Sequence, residues 1–144
     1  MNIDDEHLKR VGRIAVEFGH LEWLLANIFM GLIGNTGEIV AEALDSVERR
    51  RRLTVKLMRE RFPEMAEDWK TCVDEMGILQ TKRNAIVHSA WLVNDGSDII
   101  GVPGRGEAKA YSPGELDSVA DSVRAINLRV TNFLGRIIAA SMKD

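Results

Sequence analysis

Three residues near the end of one predicted helix carry the side chains of this sequence that are best suited to chemistry. The stretch ILQTKRNAIVHSAWLV, residues 78–93, places Arg83 beside Asn84 and puts His88 five residues after the arginine. An imidazole can move a proton near neutral pH, and a planar guanidinium can hold a phosphate through two hydrogen bonds and stabilise transition-state charge. A neutral amide can orient either group. This set predicts cleavage of an RNA phosphodiester, with no metal and no cofactor.

Arg83 is unusual because the apolar seam of its own helix runs through its position. At about 100° per residue it falls in the arc of the seam residues, which are Trp69, Cys72, Met76, Leu79, Ile86 and Ala90. An unpaired cation there costs several kcal/mol, so protein or ligand must supply a partner. His88 lies about 140° around the helix from Arg83. The two side chains can therefore converge only because arginine is long, or because the helix unwinds near Ser89.

Glu22 is the predicted supporting residue. It follows Phe18 by four positions, beside the apolar face of the first helix, where it could pair with Arg83 or orient His88. The alternative is a surface salt bridge, for instance with Arg10 or Lys82.

A second basic feature is the stretch ERRRRLTVKLMRER, residues 48–61. Four of its cations fall within about 80° on a helix, a stripe suited to a phosphate backbone: Arg49, Arg52, Lys56 and Arg59. The alternative is a solvated face with local pairs such as Glu48 with Arg52. No stacking aromatic residues are interleaved, so base-specific reading is not indicated.

The motif RNAIVH, from Arg83 to His88, resembles the Arg-x4–6-His motif of HEPN-type domains, with the polar Asn84 directly after the arginine. A long helix in a helical bundle and FGHLEWLL in an early helix are also similar to that family. The resemblance implies a metal-independent endoribonuclease that attacks with the 2′-hydroxyl and leaves a cyclic phosphate. It also implies a homodimer with two facing motifs, in a toxin–antitoxin, phage-defence or RNA-processing setting.

The HepT branch of that family carries a tyrosine two residues after the motif histidine, where this chain has Ala90. This difference argues against that branch. Some members of the wider family are noncatalytic, so the alternatives are a helical binding module or an antitoxin-like regulatory partner. In that case Arg83 would be a structural charge, and His88 would be a helix C-terminal residue favoured by the helix dipole.

Composition limits the classes of protein that remain. A chain of 144 residues with a net charge of −3 is predicted to form one domain over residues 1–144, with any RNA met by a local basic patch. Cys72, the only cysteine, is predicted to be a core residue, which excludes a disulfide within the chain. His7 and His20 show no ligand spacing and are predicted to be exposed. With no signal peptide or membrane span apparent, a cytoplasmic protein is expected.

The elements that must position these residues are mainly helices. Apolar spacing predicts helices over about 5–33, within 38–62, over about 64–90, and from Pro113 to about Ser141. Asp95-Gly96 between β-prone runs predicts a β-hairpin or structured loop between the last two long helices. The expected fold is all-α: an up-and-down bundle of about four to five helices. The first helix is apolar on a second side through Trp23 and Met30, which favours a homodimer.

Overall fold

A computed structural model describes residues 5–33, 46–88, 90–93, 99–102 and 107–143. The fold is an all-α helical bundle, as predicted, and a small sheet precedes the last helix. In chain order, the described elements are α1 (Asp5–Ile33), α2 (Val47–Arg61), a 3-10 turn (Pro63–Met65), α3 (Ala66–Val87), β1 (Ala90–Val93), β2 (Ile99–Val102), β3 (Lys109–Tyr111) and α4 (Pro113–Ser141).

Capping residues mark where two helices begin. The Ser46 hydroxyl accepts a hydrogen bond from the Arg49 backbone N–H at the start of α2. The Ser112 hydroxyl accepts one from the Glu115 N–H, 3.1 Å away, and Pro113 is the first residue of α4. Both caps satisfy backbone donors that the first turn leaves unpaired.

Helix α3 is shorter than predicted at both ends. Pro63 opens a 3-10 turn rather than the helix itself, and α3 begins at Ala66. At the other end α3 stops at Val87, and Ala90 starts β1 instead of ending the helical seam.

The predicted hairpin pairing is confirmed, within a larger sheet. Strands β1 and β2 are antiparallel, with Ala90 opposite Val102 and Val93 opposite Ile99. A third strand, β3, was not predicted and pairs antiparallel with β2. The predicted turn at Asp95-Gly96 lies outside the described residues, as do residues 38–45 of the stretch 38–62 that was predicted to be helical.

The chain forms two compact units, and each long helix contributes to both. The first comprises residues 1–20 and 76–125. Its buried apolar side chains come from α1, α3, β3 and α4: Ile14, Phe18, Met76, Leu79, Ile86, Tyr111, Leu116, Ala120 and Val123. Arg10 and Arg13 of α1 pair with Asp117 and Asp121 of α4. Arg10, which the sequence analysis named as a possible salt-bridge partner of Glu22, therefore pairs with Asp117. The single domain over 1–144 stays a prediction.

The second unit comprises residues 21–75 and 126–144 and has Trp69 at its centre. Trp69 is fully buried, its ring meets Phe133 edge-on at 5.2 Å, and its Nε1 donates to the Thr54 hydroxyl, 3.1 Å away. Cys72 is fully buried, as predicted, and burial raises the pKa of its thiol to about 11. A Cβ at Gly31 would lie 3.0 Å from Ile137, so α1 and α4 approach closely there.

The burial of residues on α1 agrees with the predictions except at His7. The face carrying Ile14, Phe18 and Leu25 is buried, as expected. The prediction that His7 is exposed is wrong, because its side chain is only 6% exposed. His7 precedes Ile14 by seven residues, two helical turns, so the apolar period itself places it on the buried face.

Helix α1 is also long and apolar enough to cross a membrane, judged by length and composition, with a mean hydropathy of 1.2 over its most apolar window. Of that window, 44% is buried inside the protein. The core helix of a soluble protein meets the same two conditions.

Candidate active site on helix α3

Arg83, Asn84 and His88 lie together where α3 ends. The Arg83 Nη1 donates to the Asn84 Oδ1 at 3.0 Å and lies 3.4 Å from the His88 Nε2. One end of the guanidinium therefore contacts both of the other side chains. The side chains of Arg83 and His88 therefore converge, although their positions lie about 140° apart around a regular helix.

His88 lies just past the end of α3. The last helical residue is Val87, and His88 lies in the turn that follows, with its backbone N–H still donating to the Asn84 carbonyl at 3.2 Å. From this position its Nε2 lies 3.4 Å from the Arg83 Nη1. Asn84 and His88 are exposed and Arg83 is half-buried, so the cluster faces solvent.

The guanidinium of Arg83 has an incomplete set of partners. Its carbon lies 6.0 Å from the centre of the Phe18 ring of α1, within the range of a cation–π contact. Its Nε is buried and makes no hydrogen bond to any residue that the structure describes. Among the described residues, no carboxylate lies within ion-pair distance of it. A buried N–H without an acceptor costs about 1–3 kcal/mol, which an anionic ligand could offset.

Gln80 belongs to the cluster and was missed in the sequence. Its Nε2 donates to the Asn84 Oδ1 at 3.1 Å, so this oxygen accepts from both Gln80 and Arg83. The signal was available, since positions 80 and 84 are four apart on one side of α3. Phe18 was identified only as a core residue, because its contact with Arg83 depends on how α1 packs.

The cluster can bind an anion and accept a proton. A guanidinium only donates, so the contact from Arg83 requires an unprotonated His88 Nε2, which is the form of imidazole that acts as a base. An anion that draws Arg83 towards itself would release Nε2 for a proton donor on the ligand.

Glu22, the predicted supporting residue, lies in the second unit. It is exposed and lines a small recess with Arg50, Arg51 and Thr54. Burial lowers the pKa of Arg51, and Glu48 opposes this effect. The predicted pairing of Glu22 with Arg83 or His88 stays a prediction.

The cations of α2 have different surroundings. Arg61 donates to the Gly31 and Leu32 carbonyls at 3.0 and 2.7 Å, and so caps the C-terminal end of α1. Arg50 and Arg51 are half-buried. The predicted stripe is exposed at all four positions, Arg49, Arg52, Lys56 and Arg59. Within it Arg52 pairs with Glu48 at 3.1 Å, the local pair that the alternative interpretation named.

Within the described part of the chain, no three His, Cys, Asp or Glu side chains are grouped closely enough to hold a metal ion. Comparisons with protein-family models, with curated proteins and with solved structures gave no match for this chain.

Proposed function

We propose that this protein is an endoribonuclease that uses Arg83, Asn84 and His88. The observation that carries the proposal is the contact of the Arg83 Nη1 with both Asn84 and His88, while the Nε of the same guanidinium is buried without an acceptor. An arginine held for structure alone would be expected on a carboxylate or on helix-end carbonyls, as Arg61 is. The guanidinium of Arg83 instead has only neutral partners among the described residues.

In the proposed reaction the RNA supplies its own nucleophile. The His88 Nε2 takes the proton of the ribose 2′-hydroxyl, the 2′-oxygen forms a bond to phosphorus, and the bond from phosphorus to the 5′-oxygen breaks. The imidazolium so formed returns its proton to the leaving 5′-oxygen. Arg83 holds the phosphate and stabilises its added charge. Asn84, fixed by Gln80, positions the guanidinium, and the products are a 2′,3′-cyclic phosphate and a 5′-hydroxyl.

The proposal includes the exposed stripe of α2, Arg49, Arg52, Lys56 and Arg59, as a contact for the RNA backbone. These side chains lie opposite the buried residues of the helix, which are Thr54, Leu57 and Met58. A backbone contact of this kind needs charge and exposure but no particular base.

The proposed enzyme is a homodimer formed through the second apolar side of α1. Val16, Trp23 and Met30 are 72%, 60% and 59% exposed, although all three are apolar. Gly12 and Gly19 lie on the same side of the helix, and a Cβ at either position would have no neighbour within 4 Å. Each costs the helix about 1 kcal/mol relative to alanine, and no packing against the described residues requires it. The close approach of a second helix gives both glycines a reason.

A cytoplasmic toxin or phage-defence effector, with an antitoxin or inhibitor as a partner, is the setting that we propose. It fits a nuclease that needs no cofactor and would damage its own cell if unrestrained.

The deciding experiment is a digest of labelled RNA by the wild-type protein and by His88→Ala, in the presence of EDTA. We expect the wild type to leave cyclic phosphate ends and the variant to lose at least about a hundredfold in rate, as is usual for a general base. His20→Ala, an exposed histidine on α1, is the matched control and should cleave like the wild type.

Each other result has a definite meaning. If neither protein cleaves RNA, the noncatalytic module is favoured. If EDTA abolishes cleavage and a divalent metal restores it, the proposed chemistry is wrong even though the protein is a nuclease. Circular dichroism of His88→Ala must match the wild type for the comparison to count.

A further inference from the structure

The first unit contains a second recess that does not include Arg83, Asn84 or His88. Its volume is about 660 Å³, within the range of pockets that hold small organic ligands. Residues of α3, of β3 and of the first turns of α4 line it: Thr81, Lys82, Ala85, Ile86, Lys109, Tyr111, Ser112, Gly114, Glu115, Ser118 and Val119.

The walls of this recess are mostly apolar. Ile86 is 1% exposed and Tyr111 is 8% exposed, so both belong to the core and present only part of their surface to the recess. Ala85 and Val119 add further apolar surface. A ligand with an apolar body would therefore remove hydrocarbon surface from water on both sides of the contact.

Two ammonium groups lie among these walls. Lys109 has its Nζ 4.9 Å from the centre of the Tyr111 ring, and Lys82 projects from α3 into the same lining. Among the described residues of the lining the only acid is Glu115, so this part of the lining carries one excess positive charge. Neither lysine is within ion-pair distance of a carboxylate among the described residues.

The helix dipole does not account for this placement of charge. Helix α4 begins at Pro113, and the positive end of a helix is stabilised by acids and destabilised by nearby cations. Lys82 and Lys109 line the same recess as the first turns of α4, where a positive charge gains nothing from that dipole. The cations of the recess lined by Arg61, Arg136 and Lys143 differ, because they lie near helix C-termini that such charges stabilise.

We propose that the recess binds a small organic monoanion, a carboxylate attached to an apolar body. The carboxylate would bind Lys82 and Lys109, and the body would lie against Ile86, Tyr111 and Val119. One excess positive charge matches a carboxylate better than a phosphate dianion, which Glu115 would repel. The hydroxyls of Thr81, Ser112 and Ser118 can donate to the same head group. This inference does not depend on the proposed nuclease.

The test is calorimetric titration of the whole protein with 1-naphthoate and with octanoate, which share the head group and differ in the shape of the body. Binding of either carboxylate is expected. Lys82→Gln and Lys109→Gln should each weaken it about tenfold, or about 1.4 kcal/mol. Both lysines are exposed, so neither substitution should unfold the protein. Lys70→Gln, on the second unit's part of α3, is the matched control and should bind like the wild type.

Three results would overturn the proposal. One is the failure of both carboxylates to bind. Another is equal binding of the neutral alcohol 1-naphthalenemethanol, because the lysines would then have no role. The third is binding that neither lysine variant changes. Amide chemical-shift changes should centre on Tyr111, Gly114 and Ser118, and changes centred elsewhere would place the ligand outside this recess.

Discussion

At the scale of single residues, Arg83 shows how burial and partners separate a structural charge from a binding charge. Arg61 and Arg129 both have structural partners. Arg61 donates to a carbonyl at the end of α1, and Arg129 forms an ion pair with Glu75 at 2.6 Å. Arg83 has only neutral partners among the described residues, and its Nε has none. The difference in partners, not in residue type, marks Arg83 for a ligand.

Replacing Arg83 tests this assignment. Lysine keeps the charge but lacks the planar pair of donors, so Arg83→Lys should lower kcat/KM for RNA cleavage by at least about tenfold, and Arg83→Gln should lower it further. The free energy of unfolding should stay within about 1 kcal/mol of wild type, because the substitution removes an unsatisfied donor. Urea unfolding and cleavage kinetics measure the two effects.

The opposite pattern would contradict a binding role for Arg83. Breaking a buried structural pair costs about 3–5 kcal/mol, so a loss of that size in Arg83→Gln, with cleavage intact, would make Arg83 structural. Lys70→Gln on the same helix is the control for both measurements.

Cys72 predicts how stability depends on pH. Burial raises the pKa of its thiol from 9.0 to about 11, so the folded state keeps a proton that the unfolded state loses. The resulting contribution to stability is complete below about pH 9 and is lost as the pH rises towards about 11, by on the order of 2 kcal/mol. Urea unfolding between pH 8 and about pH 11 should show this decline. Since Cys72→Ala lacks the thiol, its decline should be shallower, and equal slopes would contradict the prediction.

At the scale of elements, the cations of α2 differ in their surroundings according to the side of the helix on which they lie. The stripe of Arg49, Arg52, Lys56 and Arg59 is exposed, whereas Arg61 is used on α1. The helix needs Ser46, Thr54, Leu57 and Met58 for its cap and its buried face. The four stripe residues lie on the side of the helix opposite this buried face.

The salt dependence of RNA affinity should therefore reflect the charges of the stripe. In a His88→Ala background that leaves the RNA intact, Lys56→Gln with Arg59→Gln should weaken binding at every sequence tested and reduce the salt slope by about 1–2. Lys70→Gln with Arg124→Gln is the matched control, because it also removes two positive charges, one from α3 and one from α4. Fluorescence anisotropy over a range of salt concentrations gives both slopes, and equal slopes would exclude the stripe from the RNA contact.

At the scale of the whole molecule, the exposed side of α1 is the main apolar surface that the described chain leaves uncovered on that helix. Trp23→Glu should convert a homodimer into a monomer at micromolar concentration, because large aromatic residues dominate such interfaces. Leu128→Glu is the control, since Leu128 is 63% exposed on α4, outside this side of α1. Light scattering measures both variants. A wild type that is already monomeric would remove the dimer proposal.

Gly19→Ala separates the two effects of that glycine. It should raise the free energy of unfolding of the monomer by about 1 kcal/mol, because alanine is the better helix former. It should also weaken the dimer, because a methyl group would meet the partner helix. A gain in stability with an unchanged dimer would place Gly19 outside the interface.

The sequence alone predicted the helices well. The bounds of α1 and α4, the Ser46 and Ser112 caps, and the buried positions of Trp69 and Cys72 all follow from periods and capping residues within one stretch of chain. The sequence also grouped Arg83, Asn84 and His88, because only five positions separate them.

Tertiary structure decided what surrounds that group. Phe18 is distant from Arg83 in the chain, and only the packing of α1 brings its ring to the guanidinium. The recess beside Lys82 combines residues from three elements, and no local sequence pattern predicted it. Helical periods and caps are set by neighbours a few residues apart, whereas a binding site depends on which helices pack together, and that is determined by the folded chain as a whole.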